Sequence, residues 1–327
     1  MNIVLSDRIQ RVKPSPTLAV SALAGQMRAQ GRDIIGLATG EPDFDTPDSI
    51  KKAAIEAINK GYTKYTAVDG TAGLKQAIIN KFRRENNLDF TPEQILVSVG
   101  GKQAFYNLCQ TLLDEGDEVI IPAPYWVSYP DIVKLADATP VIVEGDISQS
   151  FKITPEQLKQ AITDRTKLFV INSPSNPSGK TYTRAELKAL ADVLLEYPDI
   201  VVMTDDIYEH IVWTEEGFVN ILNACPELYE RTVVINGVSK AYSMTGWRIG
   251  YSGGPVDIIK GMKKIQSQST SNPCSIAQHA AEAALEGDQS FLKVMCEAFK
   301  PRHDCVYQPL DAVDGCRWPA RDGTFYS

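Results

Sequence analysis

Reactive and polar side chains occur in four groups along this sequence, and each group directly follows a short apolar run. Ligands of an open α/β sheet bind beyond the carboxyl ends of its strands. We therefore expect the four groups to meet at one edge of a sheet and to form a binding site there. The groups are Gly100-Gly101-Lys102, the stretch 172–179, Asp205 with Tyr208, and Ser239-Lys240 with Arg248.

The residue types in these groups suit the parts of one cofactor. Backbone N–H groups of a glycine pair at a helix N-terminus, here at Gly101, bind phosphate, and an arginine such as Arg248 adds a bidentate charge. The amine of Lys240 can form an imine with an aldehyde. The carboxylate of Asp205 can pair with a protonated pyridine nitrogen, which makes the ring an electron sink. Phosphate, aldehyde and pyridine together describe pyridoxal phosphate, with Lys240 as its covalent anchor.

Alternating apolar runs and helical patterns predict the elements that carry these groups. The runs are nearly continuous, which is typical of strands covered on both faces. Helices are predicted over 101–113, 155–162 and 184–196, the last with a capping box that begins at Thr183. Because strands and helices alternate, we predict a mostly parallel α/β sheet flanked by helices. The seven predicted strands are Ile95–Val99, Glu118–Ile121, Pro140–Val143, Lys167–Ile171, Ile200–Thr204, Thr232–Ile235 and Arg248–Tyr251.

The two ends of the chain differ from this pattern. Segment 1–46 is rich in Pro, Gly and Asp and contains one predicted helix near Leu18–Ala29. We expect 1–46 to form an N-terminal arm and part of a small α+β domain, 47–288 to form the large cofactor domain, and 289–327 to begin the rest of the small domain.

Composition excludes several classes of protein. The net charge of −8 argues against a nucleic-acid or anionic-membrane partner. No run approaches the roughly 20 apolar residues of a membrane span. The six cysteines show no C-x-x-C spacing, so neither a metal site nor a disulfide framework is indicated. We expect reduced thiols in a cytoplasmic protein.

Seven stretches carry a resemblance to a known family. The chain resembles the class I, fold-type-I aminotransferases, and most closely the bacterial aspartate aminotransferase subgroup, whose members often also accept prephenate. A lysine followed eight residues later by the arginine of GWRIGY is the most specific feature. The stretches are GEPDFDTP (40–47), GYTKYT (61–66), GGKQ (100–103), PYWVSYP (124–130), NSPSNPSG (172–179), TDDIYEH (204–210) and SKAYSMTGWRIGY (239–251).

The resemblance implies a role for each cofactor-binding residue. Lys240 is the lysine that links to pyridoxal phosphate, and Asp205 pairs with its ring nitrogen. Tyr208 and Asn176 hydrogen-bond the ring hydroxyl, and Trp126 stacks on the ring. The phosphate is bound by Arg248 and by the backbone of Gly101 and Lys102. Tyr65 reaches the phosphate of the other subunit, which implies a homodimer with shared active sites.

The resemblance also implies substrate contacts and a reaction. Gly40, with Trp126 and Asn176, lies near the bound amino acid. Lys102, with Ser15 and Thr17, is associated with the distal carboxylate of a dicarboxylic substrate; the alternative for Lys102 is a solvated lysine at a helix start. The reaction implied moves an amino group between L-aspartate and 2-oxoglutarate, with prephenate as a further substrate. Lys240 would take the α-proton and return it to the cofactor.

The sequence departs from the family pattern at its end. Family members continue beyond Ser327 through an F-R-I-S motif whose arginine grips the substrate α-carboxylate, and no residue here matches that arginine. One alternative is therefore a chain that binds the cofactor but turns over weakly. Another is a different fold-type-I enzyme, an aromatic aminotransferase or a C–S β-lyase. A nucleotide-binding dehydrogenase is not indicated, because no predicted strand runs into G-x-G-x-x-G.

Overall fold

The computed structural model describes residues 3–37, 40–315 and 319–326. In this part of the chain, helices connect five of the six pairs of consecutive strands. The helices are α1 (Asp7–Gln10), α2 (Pro16–Ala29), α3 (Asp48–Asn59), α4 (Ala72–Asn86), α5 (Gly100–Leu112), α6 (Ser128–Leu135), α7 (Pro155–Ala161), α8 (Arg184–Leu195), α9 (Ile221–Ala224), α10 (Val256–Ser269), α11 (Ser275–Glu286) and α12 (Ser290–Asp311).

Seven strands form one sheet, in the order β1-β7-β6-β5-β4-β2-β3. Strand β7 runs antiparallel to both of its neighbours, and the other paired strands run parallel. The carboxyl ends of the parallel strands therefore share one edge of the sheet, and the residues that precede β7 reach the same edge. The strands are β1 (Ile95–Ser98), β2 (Glu118–Ala123), β3 (Thr139–Glu144), β4 (Thr166–Asn172), β5 (Val201–Asp205), β6 (Thr232–Gly237) and β7 (Gly250–Gly253).

Helices cover both faces of this sheet. On one face α5, α6 and α10 bury a cluster that includes Phe105, Tyr129 and Met262. On the other face α3, α4, α8 and α11 bury a larger cluster that includes Phe82 and Leu187. Burial of this apolar surface on both sides is what holds the strand ends in fixed positions.

The predicted α/β class and the seven-stranded, mostly parallel sheet are confirmed, with two local corrections. The last strand begins at Gly250 rather than at Arg248, because Arg248 has a left-handed backbone (φ 58°, ψ 51°) that cannot extend a strand. Strand β3 is only partly covered, because it lies at the edge of the sheet.

The predicted helices are also present, with ends that differ by one or two residues. Helix α8 begins at Arg184 with the predicted capping box: the Thr183 side chain accepts from the Glu186 N–H, and the Glu186 carboxylate accepts from the Thr183 N–H. The predicted helix near 18–29 is α2, which begins at Pro16. Within the described residues no helix combines the length and apolar character needed to cross a membrane.

Candidate functional site

A cavity of about 410 Å³ opens at the carboxyl edge of the sheet. Asp205 at the end of β5 and the loop after β6 line it, as do the N-terminus of α5 and Thr17 of α2. The structure therefore brings together the four groups that the sequence places after separate strands. The predicted site residues that line the cavity are Thr17, Gly40, Gly101, Lys102, Trp126, Asn176, Asp205, Tyr208, Lys240 and Arg248.

Lys240 presents a weakly basic amine to this cavity. Its Nζ donates a hydrogen bond to the Gly40 carbonyl at 2.5 Å and lies 5.9 Å from the centre of the Tyr208 ring. Burial lowers the pKa of Lys240 to about 8, an effect that the charge of Arg248 reinforces and those of Glu41 and Asp205 oppose. A lysine with this pKa is partly neutral near physiological pH, so its nitrogen can act as a nucleophile or a base.

Asp205 is a carboxylate held in a fixed orientation. Its Oδ2 accepts a hydrogen bond from the Tyr129 hydroxyl at 2.6 Å, and its Oδ1 accepts one from the Ile207 N–H at 3.2 Å. Burial raises the pKa of Asp205; the two hydrogen bonds and the positive charge of Lys240 reduce that rise but do not cancel it. A partly desolvated carboxylate of this kind is stabilised by a cationic ligand.

Arg248 reaches the cavity because the residue opposite it is a glycine. The Arg248 guanidinium donates to the Thr245 carbonyl at 2.8 Å. Gly100 has φ +80°, and a Cβ there would lie 2.3 Å from the Arg248 Nη2. Any larger residue at position 100 would therefore displace the guanidinium and strain the backbone.

Lys102 places a second positive charge beside the same cavity. Its Nζ lies 5.1 Å from the centre of the Trp126 ring, a cation–π distance. Burial lowers the pKa of Lys102, and the charge of Arg248 lowers it further. In the described part of the chain neither Lys102 nor Arg248 bonds to a carboxylate. Two cations that repel each other without an anionic partner favour an anionic ligand.

The Tyr208 hydroxyl lies between two side chains. It lies 2.6 Å from the Tyr326 hydroxyl. Burial raises the pKa of Tyr208 well above its ordinary value, and the Asn176 side chain opposes that rise. The Asn172 side chain holds this region in place, because it donates to the Asp205 carbonyl and accepts from the Asn176 N–H, both at 2.8 Å. A phenol and an amide thus face the cavity together.

Two predicted site residues do not line the cavity in this chain. Ser15 precedes the first turn of α2, two residues before Thr17. Tyr65 is 93% exposed, in the loop between α3 and α4. An exposed Tyr65 is compatible with a contact to another subunit, and its predicted role stays a prediction.

The cavity also contains residues to which the sequence patterns assigned no role. Tyr129 lies three residues after Trp126, a helical spacing that could have marked it. Asn172 and Ser239 fall inside the quoted motifs but look like ordinary loop residues there. The further lining residues are Tyr125, Val127, Pro177, Ile207, Thr245 and Tyr326.

Comparison with known proteins shows the family. The family described as aminotransferase class I and II matches residues 32–327. An aspartate/prephenate aminotransferase of Nitrosomonas europaea is 62% identical over 99% of this chain and 81% of its own length. An aspartate aminotransferase of Geobacillus stearothermophilus is 53% identical over 98% of this chain and 82% of its own length.

Solved structures agree with this match. The aspartate aminotransferase of Rhizobium meliloti superposes with a TM-score of 0.94 at 48% identity, over 99% of this chain and 81% of that one. The aspartate aminotransferase of Thermus thermophilus with maleate has a TM-score of 0.94 at 44% identity, over 99% of this chain and 84% of that one. The chain therefore belongs to the class I and II aminotransferases, a family of pyridoxal-phosphate enzymes.

Proposed function

We propose that this protein moves an amino group between L-aspartate and 2-oxoglutarate, giving oxaloacetate and glutamate, and that prephenate is a further substrate. The observation that carries the proposal is the arrangement of charge in the cavity. A carboxylate, a weakly basic lysine and two cations all face it, and neither cation has a carboxylate partner among the residues that the structure describes. Relatives named aspartate/prephenate aminotransferase support the choice of substrates.

The cavity residues fit pyridoxal phosphate. Arg248 and the N-terminus of α5 at Gly101 offer donors for a phosphate, in a cradle that a Cβ at position 100 would fill. Asp205 offers a negative charge to the ring nitrogen, and Tyr208 and Asn176 offer hydrogen bonds to the ring hydroxyl. When bound, the cofactor supplies an aldehyde that condenses with amines and a protonated ring that accepts negative charge.

Lys240 would hold and move protons in this scheme. Its amine would anchor the cofactor covalently, and the same Nζ, when free, would accept the substrate α-proton. The pKa of about 8 keeps part of the amine neutral near pH 7. The Gly40 carbonyl, 2.5 Å from Nζ, orients the amine between these events.

The other residues would position the reactants. Asp205, fixed by Tyr129, would keep the ring nitrogen protonated, and Trp126 would stack on the ring. We propose that Lys102, with Thr17 and Ser15, binds the distal carboxylate of a dicarboxylic substrate. The Thermus thermophilus structure with maleate, itself a dicarboxylate, supports this proposal.

We also propose that the active unit is a cytoplasmic homodimer in which Tyr65 completes the partner's phosphate site. Helices α2 and α3 support the dimer, because Val20, Leu23, Ile55 and Ile58 are each more than half exposed, and exposed apolar patches mark contact surfaces. The division into an arm at 1–46, a large domain at 47–288 and a small-domain segment at 289–327 belongs to the same proposal.

A substrate comparison tests the proposed activity. The purified chain, supplied with pyridoxal phosphate, should form oxaloacetate from L-aspartate and 2-oxoglutarate. Lys102→Ala should slow aspartate and prephenate turnover more than phenylalanine turnover, and Lys188→Ala, at an exposed position on α8, should change neither. Unchanged aspartate and prephenate rates in Lys102→Ala would show that the dicarboxylate assignment is wrong.

A further inference from the structure

A cluster of buried polar side chains lies behind the cavity and joins three elements. Lys81 of α4 and Glu209, in the turn after β5, form an ion pair, and they are 0% and 5% exposed. Asn86 of α4 donates to the Glu209 Oε2 at 2.7 Å, and Asn236 of β6 donates to the Glu209 Oε1 at 2.7 Å. We call Lys81, Asn86, Glu209 and Asn236 the Lys81 cluster. None of the four lines the cavity.

The cluster connects the two chain segments that carry the chemistry. The hydrogen-bonded pairing of β5 with β6 ends at Asp205 and Ile235. One residue further along β6, Asn236 bonds to Glu209. Glu209 directly follows Tyr208, and Lys240 lies four residues after Asn236. The Asn236–Glu209 hydrogen bond therefore connects the segment after β5 with the end of β6 beyond the last paired residues of the two strands.

The charge of Glu209 depends on Lys81. Burial would raise the pKa of Glu209, but the charge of Lys81, then that of His210, and hydrogen bonds from Lys81 and Asn86 keep it below its ordinary value. Burial, and next the charge of Glu209, raise the pKa of neighbouring Asp206 to about 8. Near pH 7 Glu209 is therefore charged, and so is Glu85, whose pKa is lowered to about 2 and whose carboxylate lies 3.5 Å from the Lys81 Nζ. Lys81 thus faces two carboxylates, of which Glu209 is the more deeply buried.

Net stability does not explain this arrangement. Desolvation of both ions offsets most of the Coulomb attraction in a buried pair, and well-packed apolar residues are often as stable. Glu209, however, also accepts directed hydrogen bonds from Asn86 and Asn236. Such bonds fix the relative positions of the segments that carry them, which apolar packing does less precisely. We propose that the Lys81 cluster positions two chain segments: it sets the spacing between the Asp205–Tyr208 turn and the loop that carries Lys240. This proposal rests on the cofactor site proposed above.

The test uses Glu209→Gln, the double variant Lys81→Met/Glu209→Gln, and Lys75→Met as a control. Lys75 lies on the same helix and pairs with Asp69 at 2.7 Å, with side chains 11% and 15% exposed. Two quantities are measured on each folded protein: the dissociation constant of pyridoxal phosphate for the apoprotein, and the pH midpoint of the bound cofactor's visible absorbance. Urea unfolding is followed alongside.

If the Lys81 cluster positions the cofactor site, the three variants should differ in their affinity for pyridoxal phosphate in a specific order. Glu209→Gln should bind the cofactor about tenfold more weakly and move the pH midpoint. The double variant should recover part of that loss, because it removes the unpaired ammonium and the glutamine carbonyl can still accept from Asn236. Lys75→Met should lose stability while keeping the wild-type affinity and midpoint.

Wild-type affinity and midpoint in Glu209→Gln would overturn the positioning role, whatever its stability. If Glu209→Gln does not fold, the double variant decides: a several-fold weaker affinity supports the role, and wild-type values overturn it. The wild-type chain and Lys240→Ala test the cofactor site separately. Absence of cofactor absorbance in the wild type would overturn both proposals, whereas normal absorbance with unchanged cluster variants would overturn only this one.

Discussion

At the scale of single residues, the environment of Lys240 makes its protonation depend on folding. Burial lowers its pKa from 10.5 to about 8. An unfolded chain therefore binds more protons at this lysine than the folded chain between about pH 8 and 10.5, and stability due to this residue rises with pH across that window. Below about pH 8 the buried ammonium is destabilising.

The destabilising effect of the buried Lys240 ammonium gives a prediction for the cofactor-free protein. Lys240→Met should be more stable than the wild type at pH 7, by up to about 3 kcal/mol for a shift of this size. The difference should shrink as the pH rises from 8 to 10.5. Urea unfolding at several pH values measures it. A wild-type apoprotein that is the more stable one at pH 7, or a difference independent of pH, would contradict the burial of the amine.

Tyr129 gives a second prediction at this scale. Tyr129→Phe removes the hydrogen bond to the Asp205 Oδ2, which favours the charged carboxylate, so the pKa of Asp205 should rise further. We expect the acidic limb of the kcat/KM profile to move to higher pH, and cofactor affinity to fall by about 2 kcal/mol, since the lost bond has a charged partner. Tyr182→Phe is the matched control, because Tyr182 is also buried but accepts from the Ile153 N–H outside the cavity. An unmoved acidic limb in Tyr129→Phe would show that this bond does not tune Asp205.

The predicted polar residues of the cavity were easier to locate from the sequence than the side chains that hold them in place. Lys240, Asp205 and Arg248 follow separate strands, and that position marked them before any contact was known. Tyr129 and Tyr326 were missed because each is an aromatic residue of a type that usually packs in a core, and only the folded chain shows their hydroxyls beside Asp205 and Tyr208.

At the scale of elements, the junction of β1 and α5 is where we expect the phosphate to bind. Gly100 combines a left-handed backbone with the close approach of Arg248. Position 116 offers the same backbone without the contact, because Gly116 has φ +95° and open space around its missing Cβ. Comparing substitutions at positions 100 and 116 therefore distinguishes the effect of backbone strain from the effect of displacing the Arg248 guanidinium.

Gly100→Ala and Gly116→Ala should therefore differ in binding but resemble each other in stability. Each should cost about 1–2 kcal/mol from the left-handed backbone. Only Gly100→Ala should weaken binding of pyridoxal phosphate and of inorganic phosphate to the apoprotein, which isothermal titration calorimetry can measure. Equal phosphate affinity in the two variants would show that Arg248 does not bind the phosphate.

The elements themselves were largely predictable, and the exceptions have local causes. Continuous apolar runs located the six well-covered strands, and the run at 140–143 located β3 although this edge strand is only partly covered. The start of β7 was misplaced because nothing in the residue type of Arg248 signals a left-handed conformation, which the 3₁₀ turn at Thr245–Trp247 imposes on the residue that ends it.

At the scale of the whole molecule, the proposed dimer predicts that two defective chains can repair each other. If Tyr65 acts on the partner's site, a hybrid of a Lys240→Ala subunit with a Tyr65→Ala subunit contains one site with both residues intact. Refolding an equal mixture should then give more activity than the sum of the two variants refolded alone.

A control distinguishes contact between subunits from contact within one. If Tyr65 served the site of its own chain, each site of the hybrid would lack one residue, and the mixture would show no gain. Sedimentation of the wild type should at the same time show a dimer. A monomer that turns over at the full rate would contradict the shared site.

The claim on which all others depend is that pyridoxal phosphate is attached to Lys240. Borohydride reduction of the cofactor-loaded protein, followed by peptide mass spectrometry, locates the attachment directly. We predict the added mass on the peptide that contains Lys240, and its disappearance in Lys240→Ala. Labelling of another lysine, such as Lys102, or the absence of label from a folded, cofactor-loaded chain would contradict the account.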